Sequence, residues 1–252
     1  MNELARPGKL LPETPIADDG DDLHFCSTCA FGSVCLPVGV DKAALRELHM
    51  LVEHVGPYHA GDAIFRTNEP FAALFAVRAG MIMTRLVDDV GREQVLGFHL
   101  PGEMVGLNAI HPEKYPCEAV ALDTVYVCRF SFPALATLAM RIPDVQQRLF
   151  RMLSADIGKA TQLAGDHLAD ERIAAFLLDL GARYGRRGFS PTAFRLAMGR
   201  TDIANYLRLA SETVSRVLRR FQDNGLIRVD GREVELVDLA GLRDLARNIL
   251  LT

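Results

Sequence analysis

The C-terminal third of the chain carries the pattern that most restricts how the chain can fold. Residues 200–207 have the pattern of a helix with Thr201 as its cap, and Ser211 starts a second helix that ends near Asn224. The Asp-Gly pair at 230–231 stands between two strand-like runs, which is a strong signal for a β-hairpin. A helix, a tight turn, a helix and a hairpin in this order predict a winged helix-turn-helix domain.

The second of these helices has an apolar face and a polar face. Four apolar residues on one side are expected to be buried: Val214, Val217, Leu218 and Phe221. On the other side Arg216 can donate two hydrogen bonds to a guanine edge, Glu212 can accept from a cytosine amino group, and Ser215 suits a softer contact. Four further residues are placed for contacts to the DNA backbone: Thr213, Arg219, Arg220 and Arg228. Double-stranded DNA is therefore the expected partner.

The net charge of −4 argues at first against a nucleic-acid partner. Residues 1–25 hold six acids against two basic residues, which accounts for the whole of this charge. Residues 199–232 carry seven arginines against four acids, a local charge of +3. A charged run is usually a solvated helix face, but the hairpin that follows this one favours DNA binding.

Three of the five cysteines lie within ten residues near the N-terminus, at Cys26, Cys29 and Cys35. Thiolates this close repel one another, so the spacing indicates a shared metal or an oxidised partner. No apolar run approaches the ~20 residues that span a bilayer, and the N-terminus lacks the pattern of a signal peptide. We therefore expect a cytoplasmic protein without membrane contact, in which clustered cysteines bind metal rather than form disulfides.

The segment between these two regions changes its pattern twice. Asp41 is placed to cap a short amphipathic helix over residues 41–54. From residue 55 to about 132, short strand-like runs alternate with glycines, which predicts a β sandwich or a rolled barrel with a hairpin tip at 88–91. An apolar stripe over residues 144–164 predicts a long helix, part of which can cover the β domain while the rest pairs with a second subunit.

With these regions in view, the chain resembles the Crp/Fnr family of bacterial transcription regulators, and most of all its oxygen-sensing FNR/Anr-like branch. The resemblance extends over about residues 20–245. Its most specific motifs are the Cys-x2-Cys-x5-Cys spacing ending in Cys35-Leu36-Pro37, the run Gly97-Phe98-His99-Leu100, the run Arg187-Gly188-Phe189-Ser190, and Glu-x-x-Ser-Arg at 212–216.

The resemblance implies an α+β fold with a cupin-like β roll of the cyclic-nucleotide-binding type, a long dimerisation helix and a C-terminal winged helix-turn-helix. Residues 1–22 are rich in Pro, Asp and Gly, which predicts an acidic disordered tail. For the rest, the resemblance implies a cysteine-rich segment at 23–40, the β roll at 41–133, the dimerisation helix at 134–168 and the DNA-binding domain at 169–252.

The resemblance also implies an oxygen-labile [4Fe–4S] cluster. The three N-terminal ligands of the family fall on Cys26, Cys29 and Cys35, and the pattern Ala-Leu-(acid)-Thr-x-x-Val-Cys places the fourth at Cys128. Cys117 is expected to be a small core residue instead.

By the same resemblance, the chain is a homodimer whose assembly depends on the iron–sulfur cluster and which binds palindromic TTGAT-type sites through Glu212, Ser215 and Arg216. RNA polymerase is a further expected partner. The expected dimer interface comprises Leu149, Met152, Leu153, Ile157 and Ala160.

Two departures from the family pattern bear on ligand and assembly. The cyclic-nucleotide branch has an Arg-Ser pair after its Gly-Glu stretch, and here Pro116 and Cys117 occupy those positions. We therefore expect no cyclic nucleotide, because a buried phosphodiester would lack its charged partner. Ala160 stands where the FNR-like relatives have an acid, which should ease pairing of two helices.

Other interpretations of the cysteines and of the β roll remain open at this point. Four thiolates also suit structural zinc, although zinc ligands usually come as two close pairs, and another redox signal or nitric oxide could act on the same site. A cupin-type enzyme would need a His-x-His pair, which the seven histidines do not provide. We expect no enzymatic activity.

Overall fold

The computed structural model describes residues 29–39, 41–165 and 167–250, so the N-terminal tail and Cys26 lie outside the described residues. The helices are α1 (Lys42–His49), α2 (Phe132–Arg141), α3 (Pro143–Ala164), α4 (Ala169–Gly185), α5 (Arg200–Leu207), α6 (Ser211–Asp223), α7 (Leu239–Leu245) and α8 (Arg247–Leu250). The strands are β1 (Val52–Tyr58), β2 (Ala63–Phe65), β3 (Ala73–Ala79), β4 (Ile82–Val87), β5 (Glu93–His99), β6 (Met104–Val105), β7 (Glu118–Ala121), β8 (Val125–Ser131), β9 (Ala193–Arg195), β10 (Ile227–Asp230) and β11 (Glu233–Leu236).

The first eight strands form a β roll from two four-stranded antiparallel sheets, in the orders β1-β8-β3-β6 and β2-β7-β4-β5. The sheets enclose a core that we call the roll core, which includes Phe65, Phe75, Ile82 and Tyr115. The rolled β domain is confirmed, and so is the hairpin tip at 88–91, where Val87 pairs with Glu93. Strands β1, β6 and β7 were not predicted individually: β1 begins within the segment predicted as a helix, and β6 is only two residues long.

Helix α1 is shorter than predicted. Asp41 caps it as expected, since its carboxylate accepts from the backbone amide of Ala44 at 2.8 Å. The helix ends at His49, however, and Val52 already belongs to β1, where it pairs with Phe130. The extension of the helix to residue 54 was wrong because pairing with β8 decides the conformation of this segment, and a helical pattern in the sequence cannot anticipate that pairing.

The segment 134–168, expected as one dimerisation helix, contains two helices. Ile142 separates α2 from α3 with extended backbone angles (φ −122°, ψ 99°), and Pro143 begins the second helix. This break is what a proline imposes on the residue before it. The two helices, α1 and the loop at 29–39 cover the outer face of the sheet β1-β8-β3-β6 and form a second core, the outer core, around Leu36, Leu48, Phe130 and Leu135.

The stripe on α3 divides along its length. Leu149, Met152 and Leu153 are partly buried and pack against the outer core. Beyond them every residue from 154 to 160 is exposed, and Ile157 is 67% exposed. The first half of the stripe therefore covers the β roll, and the second half presents apolar surface to solvent.

The winged helix-turn-helix is built as predicted, apart from its caps. Gly199 precedes α5 and Ala210 precedes α6, so Thr201 and Ser211 lie inside their helices and are not the N-caps that the sequence suggested. The carboxylate of Asp202 accepts from the amide of Gly199 at 2.8 Å and does the capping instead. Strands β10 and β11 pair across the turn at 230–231, and β9 joins them as a third strand that the sequence did not indicate.

The DNA-binding domain and the β roll share one continuous core, the junction core. Met83, Val95 and Phe98 of the roll pack together with Phe176 and Leu207 of the helical domain. Asn205 on α5 adds two hydrogen bonds to the backbone of β5, because its side chain accepts from the amide of Val95 and donates to the carbonyl of Glu93, both at 2.7 Å. The first helix of the helix-turn-helix is therefore fixed to the roll.

A buried ion-paired network holds the same two parts together. Glu103, immediately before β6, accepts from Arg183 at 2.5 and 2.9 Å and from Arg187 at 2.8 Å. Arg183 also donates to the carbonyl of Phe98, and Arg187 donates to the carbonyl of Pro101. Burial alone would raise the pKa of Glu103, but the two arginines outweigh it and lower that pKa to about 2.

No helix among the described residues has both the length and the apolar character that crossing a bilayer requires.

The network predicts a pH-dependent contribution to stability. Glu103→Gln should lower the free energy of unfolding at pH 7 by about 3–5 kcal/mol, because it leaves two buried guanidinium groups without their carboxylate. The native pKa of Glu103 lies below its ordinary 4.5, so the ion pairs stabilise the fold above that pH and lose their effect as the pH falls towards 2. Urea unfolding from pH 7 to pH 3 should show the variant and the wild type converging.

The exposed pair Arg195–Glu233 is the control for this prediction. Both side chains are 62% exposed and their closest charged atoms are 3.8 Å apart, so Glu233→Gln should cost less than about 1 kcal/mol at any pH. Equal losses in the two variants would contradict the structural role of Glu103.

Candidate DNA interface and cysteine site

The exposed face of α6 carries the residues that the sequence predicted to contact bases. Glu212, Ser215 and Arg216 are all exposed, whereas the four residues predicted to point inward are buried: Val214, Val217, Leu218 and Phe221. Burial of the apolar face fixes the rotation of the helix, so its first two turns present the polar side chains to solvent. These turns are the part of a recognition helix that approaches base edges.

Local contacts orient two of these side chains. The hydroxyl of Ser215 donates to the carbonyl of Ser211 at 3.0 Å and keeps its lone pairs available as acceptors. Arg216 donates to the hydroxyl of Thr213 at 3.3 Å, one turn earlier. A guanidinium has five N–H donors, so this contact leaves enough of them for two bonds to a base edge.

The residues predicted to contact the DNA backbone have different surroundings. Arg219 is exposed on the polar face of α6, and Thr213 is partly exposed. Arg220 forms an ion pair with Asp170 of α4, and Arg228 forms one with Glu235 across the hairpin. To bind a phosphate, each of these two arginines would therefore have to leave its carboxylate partner or contact the carboxylate and the phosphate together.

The cysteine loop, residues 29–39, is a series of tight turns closed by backbone hydrogen bonds. The amide of Gly32 donates to the carbonyl of Cys29 at 2.9 Å, and the amide of Cys35 donates to the carbonyl of Phe31 at 3.0 Å. Leu36 is fully buried in the outer core and anchors the loop. Cys29, just before the first turn, and Cys35, within the turns, are both partly exposed.

Cys35 and Cys128 border the same apolar region. Both pack against the outer core, Cys35 from the loop and Cys128 from the outward face of β8. In β8 Cys128 lies between His54 of β1 and Ala76 of β3, and its sulfur is 3.5 Å from Nδ1 of His54. Burial, Arg78 and His49 lower the pKa of His54, which favours the neutral ring.

Cys117 lies in the other core. It is 1% exposed, belongs to the roll core and accepts a weak hydrogen bond from the amide nitrogen of Asn108 at 3.5 Å. Burial raises the pKa of its thiol, so it stays protonated. The prediction that Cys117 is a core residue is confirmed, because the residue is buried.

The cysteine loop also contacts both the roll and the DNA-binding domain, and no sequence pattern predicted these contacts. The ring centroids of Phe31 and Phe189 are 6.3 Å apart, and Phe189 lies in the loop that follows α4. Val34 packs on Gly102, and a Cβ added to Gly102 would come within 2.5 Å of the Cγ2 atom of Val34. The backbone of Gly102 also has a positive φ of +85°. Only glycine fits this position without strain.

The chemistry of the described donors fits an iron–sulfur cluster. Thiolates are the usual ligands of such clusters, and three of the four predicted ligands lie in described parts of the chain, at Cys29, Cys35 and Cys128. Within residues 29–39, 41–165 and 167–250 no three His, Cys, Asp or Glu side chains already converge on one point.

Comparison with known proteins identifies both parts of the fold. Residues 171–245 match the family model of the Crp-like helix-turn-helix domain, and residues 56–141 match that of the cyclic nucleotide-binding domain. The chain is 44% identical over 224 residues to the transcriptional activator protein anr of Pseudomonas aeruginosa, which covers 88% of this chain and 92% of that protein.

Two more proteins extend the comparison. The Anaerobic regulatory protein of Haemophilus influenzae is 37% identical over 233 residues, covering 91% of this chain and 90% of its own length. The structure of FixK2 from Bradyrhizobium japonicum superposes with a TM-score of 0.70 at 27% identity, covering 77% of this chain and 96% of that one. The expected fold class is confirmed, and the chain belongs to the Crp/Fnr family of transcription regulators.

Proposed function

We propose that the protein is an oxygen-responsive transcription regulator that binds DNA as a homodimer. The observation that carries the proposal is the position of Cys35 and Cys128 at the edge of the outer core, which also contains the first half of α3. A change at these two thiols would therefore act on the packing of the helix whose second half is exposed. The names of the matched relatives, an activator and an anaerobic regulator, support the same class of function.

Cys26, Cys29, Cys35 and Cys128 would hold a [4Fe–4S] cluster, which supplies a redox centre that oxygen degrades. Cys128 is favoured over Cys117 because Cys128 shares the outer core with Cys35, while Cys117 is enclosed between the two sheets. Ligation by Cys128 would tie the cysteine loop to β8, on the side of the roll against which α3 packs.

Helix α3 would then link cluster binding to dimerisation. Leu149, Met152 and Leu153 pack against the outer core, so the position of α3 depends on how that core is packed. Ile157 and Ala160 lie further along on the exposed half and would meet the same residues of a second subunit. The small side chain of Ala160 allows close approach of two helices without burying a charge.

A dimer would place two copies of α6 on successive major grooves of a palindromic site. Arg216, Glu212 and Ser215 would read the bases of a TTGAT-type half-site, while Arg219, Arg220, Arg228 and Thr213 would contact the backbone. RNA polymerase would be the further partner of the bound dimer.

We also propose that no cyclic nucleotide is the natural ligand. The carboxylate of Glu103 is already occupied by Arg183 and Arg187. Pro116 and the buried Cys117 offer no cation to a phosphate.

Iron and sulfide analysis of anaerobically purified protein tests the cofactor directly. Cys128→Ala should abolish the visible absorption and the bound iron, because a thiolate ligand is lost. Cys117→Ala should retain both, since that thiol lies in the roll core. Colourless, iron-free wild-type protein would refute the iron–sulfur proposal, and an air-stable metal without a response to oxygen would indicate structural zinc instead.

Base reading is tested at Arg216. Arg216→Ala should weaken binding to a matched operator by about 1–3 kcal/mol and relax the preference at one base pair. Fluorescence anisotropy with matched and mismatched duplexes at one fixed salt concentration measures this difference. Arg243→Ala is the control, because Arg243 is exposed on α7; an equal loss on both duplexes would refute the role of Arg216.

The dimer is tested at the exposed half of α3. Ile157→Glu should shift the anaerobic protein from dimer to monomer, because two carboxylates would face each other across the two-fold axis. Analytical ultracentrifugation under nitrogen measures the shift, with Ala155→Glu as control, because residue 155 is also exposed but lies on the opposite side of α3 from residue 157. A dimer unchanged by Ile157→Glu would move the interface elsewhere.

A further inference from the structure

One arginine of α3 holds the cysteine loop. Arg148 donates from Nη2 to the carbonyl oxygen of Val34 at 2.9 Å. The carbon of this carbonyl is bonded to the nitrogen of Cys35, so the guanidinium lies next to that cysteine. The contact joins residues 114 positions apart, and neither the spacing nor the composition of α3 predicts it.

The guanidinium is only partly satisfied by this contact. Its Nε atom is buried and has no hydrogen-bond partner among the described residues. Leaving a buried donor unsatisfied is unfavourable, and more so for a charged group. Burial lowers the pKa of Arg148, the Cys35 sulfur partly offsets this effect, and Arg151 reinforces it. A partly buried cation with a spare, buried donor atom therefore lies beside one of the proposed ligands.

Arg148 borders an open cleft. A cleft of about 170 Å³ lies between the loop, the roll and α3, and Val34, Gly102, Arg148 and Arg151 contribute to its lining. The carboxylate of Asp156 lines the same cleft two turns further along α3. Arg148 thus borders open space as well as the backbone of the cysteine loop next to Cys35.

We propose that Arg148 is a positioning residue of the iron–sulfur site, donating a hydrogen bond to a sulfur on its Cys35 side and fixing the loop to α3. This inference rests on the proposed function. Four thiolates carry more negative charge than the iron–sulfur core offsets, so the assembled site is anionic. Hydrogen bonds to the sulfurs and local charge set the reduction potential of such sites.

The sign of the effect follows from this electrostatics. A cation and a hydrogen-bond donor stabilise the more negatively charged, reduced form, so Arg148 raises the reduction potential. Oxygen, the oxidant, then removes an electron from the site less readily. Arg148 would slow the response to oxygen, and its bond to the Val34 carbonyl would make α3 follow any movement of the loop.

The test compares Arg148→Gln and Arg148→Lys with Arg151→Gln. Arg151 is exposed on the next turn of the same helix, so its substitution removes the same charge from a solvated position. Anaerobic spectroelectrochemistry gives the midpoint potential, and the decay of visible absorption after a fixed pulse of air-saturated buffer gives the lifetime. Arg148→Gln should lower the potential and shorten the lifetime several-fold, Arg148→Lys should be intermediate, and Arg151→Gln should match the wild type.

Two results would overturn the inference: a wild-type potential and lifetime in Arg148→Gln, or the same shift in Arg151→Gln, which would indicate only a general charge effect. If Arg148→Gln binds no iron, Arg148→Lys decides, since it keeps the charge but loses the planar set of donors, and wild-type values in it would overturn the inference. Wild-type protein without iron and sulfide would overturn the proposed function itself, and the inference with it.

Discussion

The buried contact of Glu103 with Arg183 and Arg187 is the interaction on which the arrangement of the two domains depends. A buried ion pair is seldom more stabilising than apolar packing of the same size, but removing one partner is costly. The network therefore acts mainly as a constraint on geometry: α4 can dock on the roll only where both arginines reach one carboxylate. Asn205 adds a second polar constraint on the same junction, through the backbone of β5.

The cysteine loop contacts the outer core and residues near this junction. Leu36 anchors it in the outer core, Val34 packs on Gly102 next to Glu103, and Phe31 reaches Phe189 beyond α4. A rearrangement of the loop would thus change the packing of α3 and of the DNA-binding domain of the same chain. The packing explains how a small site near the N-terminus can influence residues that are far away in the sequence.

Helix α3 has two surroundings within 22 residues. Its first half packs on the outer core and its second half is exposed. A continuous apolar stripe in the sequence cannot distinguish these halves, because the same spacing serves a contact within the chain and a contact between chains.

The sequence by itself determined the winged helix-turn-helix, the β roll and the polar face of α6, because period, turn residues and the Asp-Gly hairpin are local signals. It also placed Cys117 inside a core. The tertiary structure alone decided that α1 ends at His49, that Gly199 and Ala210 precede their helices, and that Arg148 and Arg183 bind partners distant in the sequence. These features depend on which segments are in contact in the folded chain. Contacts between residues 80 or 114 positions apart produce no periodic pattern in the sequence, so the sequence cannot predict them.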